Sequence, residues 1–178
     1  MPKIKNMGSA TMRFGEGTII SGSAGTDTPA LVVTGSAMII GSLTAKQRHV
    51  KSAKYSKTDN TQQYVRWDAA GSNNSPGVNN KFLAPAGGRL LFLVIRSTSA
   101  ANGTNIGFHK ATDGTENLNT TATETIGVDI DTANSAFQVQ FTEASSFNAG
   151  DILGLSVNPS STPNDVNITC VWEFDFTN

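Results

Sequence analysis

Between Asp165 and Phe176 the chain alternates with a period of two: Val166, Ile168, Cys170, Trp172, Phe174 and Phe176 on one side, Asn167, Thr169, Val171, Glu173 and Asp175 on the other. Successive side chains of a β-strand point to opposite faces, so such a run gives one face to a core and the other to water. A helix would scatter the same apolar residues around its circumference. The period recurs in Ile126, Val128 and Ile130, in Phe137, Val139 and Phe141, and in Leu153, Leu155 and Val157. Strands of this kind need a shared core, and they predict an all-β protein.

Composition points the same way. Only 15% of the 178 residues are charged and 38% are hydrophobic, with 17 Gly and many Ser, Thr, Asn and Ala filling the difference. Ser, Thr and Asn side chains compete for backbone hydrogen bonds and so disfavour long helices. Strands are expected at Tyr64 to Trp67, Lys81 to Leu83, Leu90 to Ile95, Ile106 to His109, Thr125 to Ile130, Phe137 to Phe141, Ile152 to Val157 and Val166 to Phe176. Turn-rich segments such as Gly71 to Asn80 and Ala111 to Thr121 join them. This count and spacing describe a jelly-roll β-sandwich over residues 62–178.

Arg89 to Arg96 reads Arg-Leu-Leu-Phe-Leu-Val-Ile-Arg and is apolar on both faces. One face meets the core and the other needs a second buried surface. That surface is a neighbouring subunit, with Leu91, Leu93 and Ile95 at the contact, or else the amino-terminal segment of the same chain.

The first third has a different texture. Residues 1–17 hold scattered apolar residues without period and read as an extended arm. Residues 18–45 carry three short β-prone runs closed by Gly: Thr-Ile-Ile-Ser-Gly, Ala-Leu-Val-Val-Thr-Gly and Ala-Met-Ile-Ile-Gly. Each is too short to bury its own apolar side, so the segment is expected to form a shaft in which several chains wrap a common axis, the alternative being an extra hairpin on the main domain. Residues 46–61, with Lys46, Arg48, His49, Lys51, Lys54 and Lys57, are a basic connector or a solvated strand face.

Net charge is -1, yet it is unevenly spread: Met1 to Trp67 has nine Lys or Arg and three acids, giving +6, and the remainder, with four and eleven, carries -7. The balance argues against a nucleic-acid or membrane partner, while the basic first third suits an acidic surface or simple solubility. No apolar run reaches membrane-spanning length, and Met1 to Ala10 lacks the apolar stretch of a secretory signal.

The inventory for chemistry is thin. One cysteine, Cys170, excludes an intrachain disulfide, and its place in the apolar phase of a strand makes it inert. The two histidines, His49 and His109, are not spaced as metal ligands, and the glycine-rich phosphate loop and nucleophile elbow motifs are absent. Asp129 with Asp131 and Glu173 with Asp175 share strand faces, which a solvated outer surface explains; calcium at these aspartates or at Asp113 to Glu116 lacks regular ligand spacing. No catalytic residue, cofactor or metal is expected.

The stretch Tyr64-Val-Arg-Trp-Asp-Ala-Ala-Gly-Ser-Asn-Asn-Ser-Pro-Gly-Val-Asn-Asn-Lys-Phe-Leu-Ala-Pro, with Ile106-Gly-Phe-His-Lys110 and Gly150-Asp-Ile-Leu-Gly-Leu-Ser-Val-Asn-Pro159, resembles virion structural proteins of tailed phages, especially those of marine cyanobacteria. The Gly-closed runs at 18–44 are similar to short triple-stranded shafts of phage fibre and head-decoration proteins. The resemblance implies a homotrimeric, non-enzymatic virion protein with a jelly-roll head, broadly similar to trimeric heads of the tumour necrosis factor class. Trimerisation would bury Leu31, Val33, Met38, Ile40 and Leu43 about the axis. The expected role is a decoration or cement protein on the major capsid protein, with Lys3, Lys5, Arg13, Lys46, Arg48 and Lys51 as contacts; the alternative is a short tail fibre or tip, attached to a tail protein and binding a host-surface receptor.

Overall fold

In this computed structural model the described residues are 46–56, 60–112 and 117–176. The expected arm and shaft, with Lys3, Lys5, Arg13, Leu31, Val33, Met38, Ile40 and Leu43, lie outside them.

Among the described residues eleven strands run β1 (Lys46–Tyr55), β2 (Gln63–Val65), β3 (Ser72–Asn73), β4 (Lys81–Leu83), β5 (Gly87–Arg96), β6 (Ala101–Ala111), β7 (Glu124–Ile130), β8 (Ala136–Gln140), β9 (Ser146–Phe147), β10 (Ile152–Asn158) and β11 (Val166–Asp175). Their antiparallel pairs nest in sequence: β1 with β11, β2 and β4 with β10, β5 with β8, β6 with β7. The doubled ribbon then wraps, so that β11 also pairs with β5 and β10 with β6. Two sheets result, β1-β11-β5-β8 with β9 beside β5, and β3-β2-β10-β6-β7 with β4 beside β10. This is the jelly-roll order, and the expected all-β sandwich is present.

Membership of the roll differs from the expectation in one respect. Tyr64 to Trp67 and Lys81 to Leu83 share one place, since β2 pairs with Ser156 and Val157 while β4 pairs with Ile152 to Gly154 of the same strand β10. The first place belongs to Lys46–Tyr55, ten residues in continuous register with β11. Much of the stretch read as a connector is thus a solvated strand of the sandwich. It escapes a periodicity reading because β1 is an edge strand whose core-side positions, Gln47, His49, Lys51, Ala53 and Tyr55, include long polar side chains.

The core lies between the sheets. Val166, Ile168, Cys170, Trp172 and Phe174 are all buried, as the period-two pattern requires, and Phe176 packs against the same cluster beyond the strand's end. Trp172 is fully buried, with ring centroids of Phe82 at 5.1 Å, Phe147 at 5.9 Å, Phe108 at 6.0 Å and Trp67 at 6.2 Å, in edge-on or tilted arrangements that aromatic quadrupoles favour. This ring cluster joins the two sheets.

β5 departs from simple alternation. Val171 lies opposite Phe92 but Trp172 lies opposite Leu90, so Leu91 is the extra residue of a β-bulge. The phase flips there: Leu90, Leu93 and Ile95 are fully buried, while Leu91, Phe92 and Val94 are only half-buried.

Candidate functional site

Among the described residues the chemistry-bearing side chains are dispersed. Cys170 is buried at the core, and burial pushes its thiol up to about 12 against the opposing charge of Lys51, leaving no thiolate near neutral pH. Asp129 accepts the Gly103 N–H at 2.8 Å, and Glu173 faces Lys46 at 3.6 Å. Among the described residues no three His, Cys, Asp or Glu side chains converge on a cation-sized space. Two neighbouring grooves of about 450 and 480 Å³ share Lys54, Ala70 and Asn167 and contain neither His nor Cys.

His109 belongs to a structural lock on the outer face of the second sheet. The segment 117–123 crosses that face, and His109, fully buried, bonds it: Nδ1 donates to the Asn119 carbonyl at 2.9 Å and Nε2 accepts from the Ser156 hydroxyl at 2.8 Å, the tautomer that satisfies both partners. Burial pulls the imidazole below its ordinary range, with the backbone carbonyls of Asn119 and Thr121 opposing, so the ring is held neutral. Tyr64 donates to the Thr120 carbonyl at 3.2 Å and accepts from Gln62 at 2.7 Å; burial raises its phenol. Leu118 completes the lock by entering a notch above Gly154, where any Cβ would come within 2.4 Å of its Cδ1.

The outer face of the first sheet has no such cover among the described residues. Neighbouring strands there place Val50 beside Val171, Val171 beside Phe92, and Val94 between Thr169 and Gln138. Val50 is 63% exposed. Ser52, Thr169, Gln138 and Gln140 surround these apolar residues, so the middle of the face carries no charge. Charged residues stand at both ends: Lys46, Arg48, Glu173, Asp175 and Arg89 at one, Lys54 and Arg96 at the other. An uncharged apolar centre with a charged rim is the anatomy of a protein contact surface.

Two sets of expected contact residues need correction. Leu93 and Ile95 face the core and offer nothing to a neighbour; of the expected trio only Leu91, at the bulge, is partly exposed, and the outward apolar residues of β5 are Phe92 and Val94. The bulge is the reason, since strict alternation from Arg89 puts 91, 93 and 95 together. Lys46, Arg48 and Lys51 do not form one patch either. Lys46 and Arg48 share the outer face, whereas Lys51 is in the opposite phase, its ammonium 4.4 Å from the Phe82 ring centroid and 5.8 Å from that of Trp67. A sequence signal for this apolar outer patch existed in Val171, the one apolar residue on the polar side of its strand.

No family model and no curated protein matches the chain. Among solved structures, one described as "Bacillus endospore appendages form a novel family of disulfide-linked pili" aligns over 80% of this chain and 99% of its own, with a TM-score of 0.39 and 9% identity.

Proposed function

We propose that this chain is a non-enzymatic structural protein of a tailed-phage virion, a homotrimeric decoration protein whose amino-terminal part attaches to the major capsid protein and whose jelly-roll head projects outward. The observation that carries this reading is the contrast between surfaces among the described residues: one outer face of the sandwich is sealed by the chain itself through His109 and Tyr64, and the other keeps an uncharged apolar centre for contact with other protein. The basic residues upstream of the roll, Lys3, Lys5 and Arg13, supply the attachment, and Lys51 is withdrawn from the contact set because it caps aromatic rings of the head. Immunogold labelling of intact particles with an antibody against the sandwich tests the location. Dense gold over heads is the expected result. Gold confined to tails overturns decoration in favour of a fibre or tip, and unlabelled particles overturn a virion role.

A further inference from the structure

We infer that the outer face of the β1-β11-β5-β8 sheet is a self-complementary surface that pairs with the same face of a second copy about a two-fold axis parallel to the strands. The argument rests on one row of charges. Arg48 of β1 lies beside Glu173 of β11, and Glu173 beside Arg89 of β5. Glu143, on the turn just before β9, completes the row through its ion pair with Arg89, and its side chain is 82% exposed. Across the sheet the signs therefore run plus, minus, plus, minus.

Laying the whole face on a copy of itself with the strands in line has two symmetric solutions. An axis parallel to the strands, between β11 and β5, reverses the row: Arg48 meets the second copy's Glu143, and Glu173 meets the second copy's Arg89, each contact occurring twice as an isologous interface requires. The same operation sets Val171 against the second copy's Phe92 and Thr169 against its Val94, burying the uncharged band. At the far end Lys54 meets Ala136 and Arg96 meets Asn167, with no like charges opposed. An axis across the strands instead brings Arg48 against Lys54 and Arg89 against Arg96, which repel. The charge pattern selects the first register, in which the strands of the two copies run in line, as packed sheets do.

Four strands at about 4.8 Å spacing make a small face, so one contact is weak and counts when many copies are held side by side. The pairing depends on this face alone and stands whether the protein sits on a head, on a tail or on neither.

The test uses the full chain at high concentration in sedimentation velocity, with melting curves to confirm folding. Val50→Asp, at an exposed site, is expected to reduce the mass of the associated species. Arg48→Glu and Glu143→Arg are each expected to weaken association at least tenfold, and the double variant Arg48→Glu/Glu143→Arg to recover it, because the two residues meet across the axis. Equal association in wild type and Val50→Asp overturns the face as a contact. Loss in both single variants without recovery in the double overturns the register.

Discussion

The two outer faces of the sandwich are built from neighbouring strands of one ribbon, yet among the described residues one is sealed and the other bare. Over β10 and β6 a segment of the same chain is fastened at three points, the His109 and Tyr64 bonds to carbonyls and the Leu118 side chain above Gly154. Over β11 and β5 the described residues supply no fastening, although Val50, Val171, Phe92 and Val94 are apolar. A face that closes on itself needs polar anchors and a glycine notch; a face kept for another molecule needs an apolar middle and a charged edge that prevents promiscuous pairing.

Trp172→Ala should erase the distinction altogether. It removes the ring that ties the sheets together, and a loss of about 3 to 5 kcal/mol is expected in denaturant unfolding. Gly154→Val acts only on the sealed face. Its added methyl groups must displace Leu118 or the Asn80 carbonyl, 3.0 Å from the Cβ position, for a loss of about 1 to 3 kcal/mol and faster hydrogen exchange in residues 117–123.

The lock also sets a pH dependence. Burial holds the native pKa of His109 below the unfolded value of about 6.5, so the unfolded chain takes up the proton first. The contribution is full above about pH 6.5, is lost as pH falls through that value toward the lower native pKa, and levels off beneath both. Melting temperature measured from pH 7.5 downward should show this decline, and His109→Phe should flatten it. On the bare face Val50→Thr is expected to change stability by no more than about 0.5 kcal/mol, since an exposed residue that touches no core has little to lose. A larger loss there would mean the face is covered after all.

The sealed core was the legible part of this molecule. Period-two alternation places Val166 through Phe174 and Leu153 through Val157 correctly because in each strand the core side is built of large apolar residues and the other side of small or polar ones, whether water or, over β10, the segment 117–123 covers it. Legibility failed where local geometry broke the period or where the dry side was made of polar residues. The bulge at Leu91 moved Leu93 and Ile95 from a supposed surface into the core, and a strand whose inner positions include Gln47, His49 and Lys51 read as a connector as readily as a solvated strand. The lock was invisible for another reason: His109, Tyr64 and Leu118 meet only through tertiary pairing, and nothing in their separate neighbourhoods marks them as partners.

The nested pairing has a consequence for how the protein is made. β11 occupies the inside of its sheet, between β1 and β5, but it is the last strand of the sandwich to leave the ribosome. Until residues 166–175 emerge, Lys46 to Tyr55 lacks the one described strand it pairs with and the apolar side of β5 has no Trp172 against it. Contacts between such distant parts of a chain form slowly. The first sheet therefore closes only once β11 is available, and a nascent chain stalled before Val166 exposes the long strands β1 and β5 of an unfinished sheet.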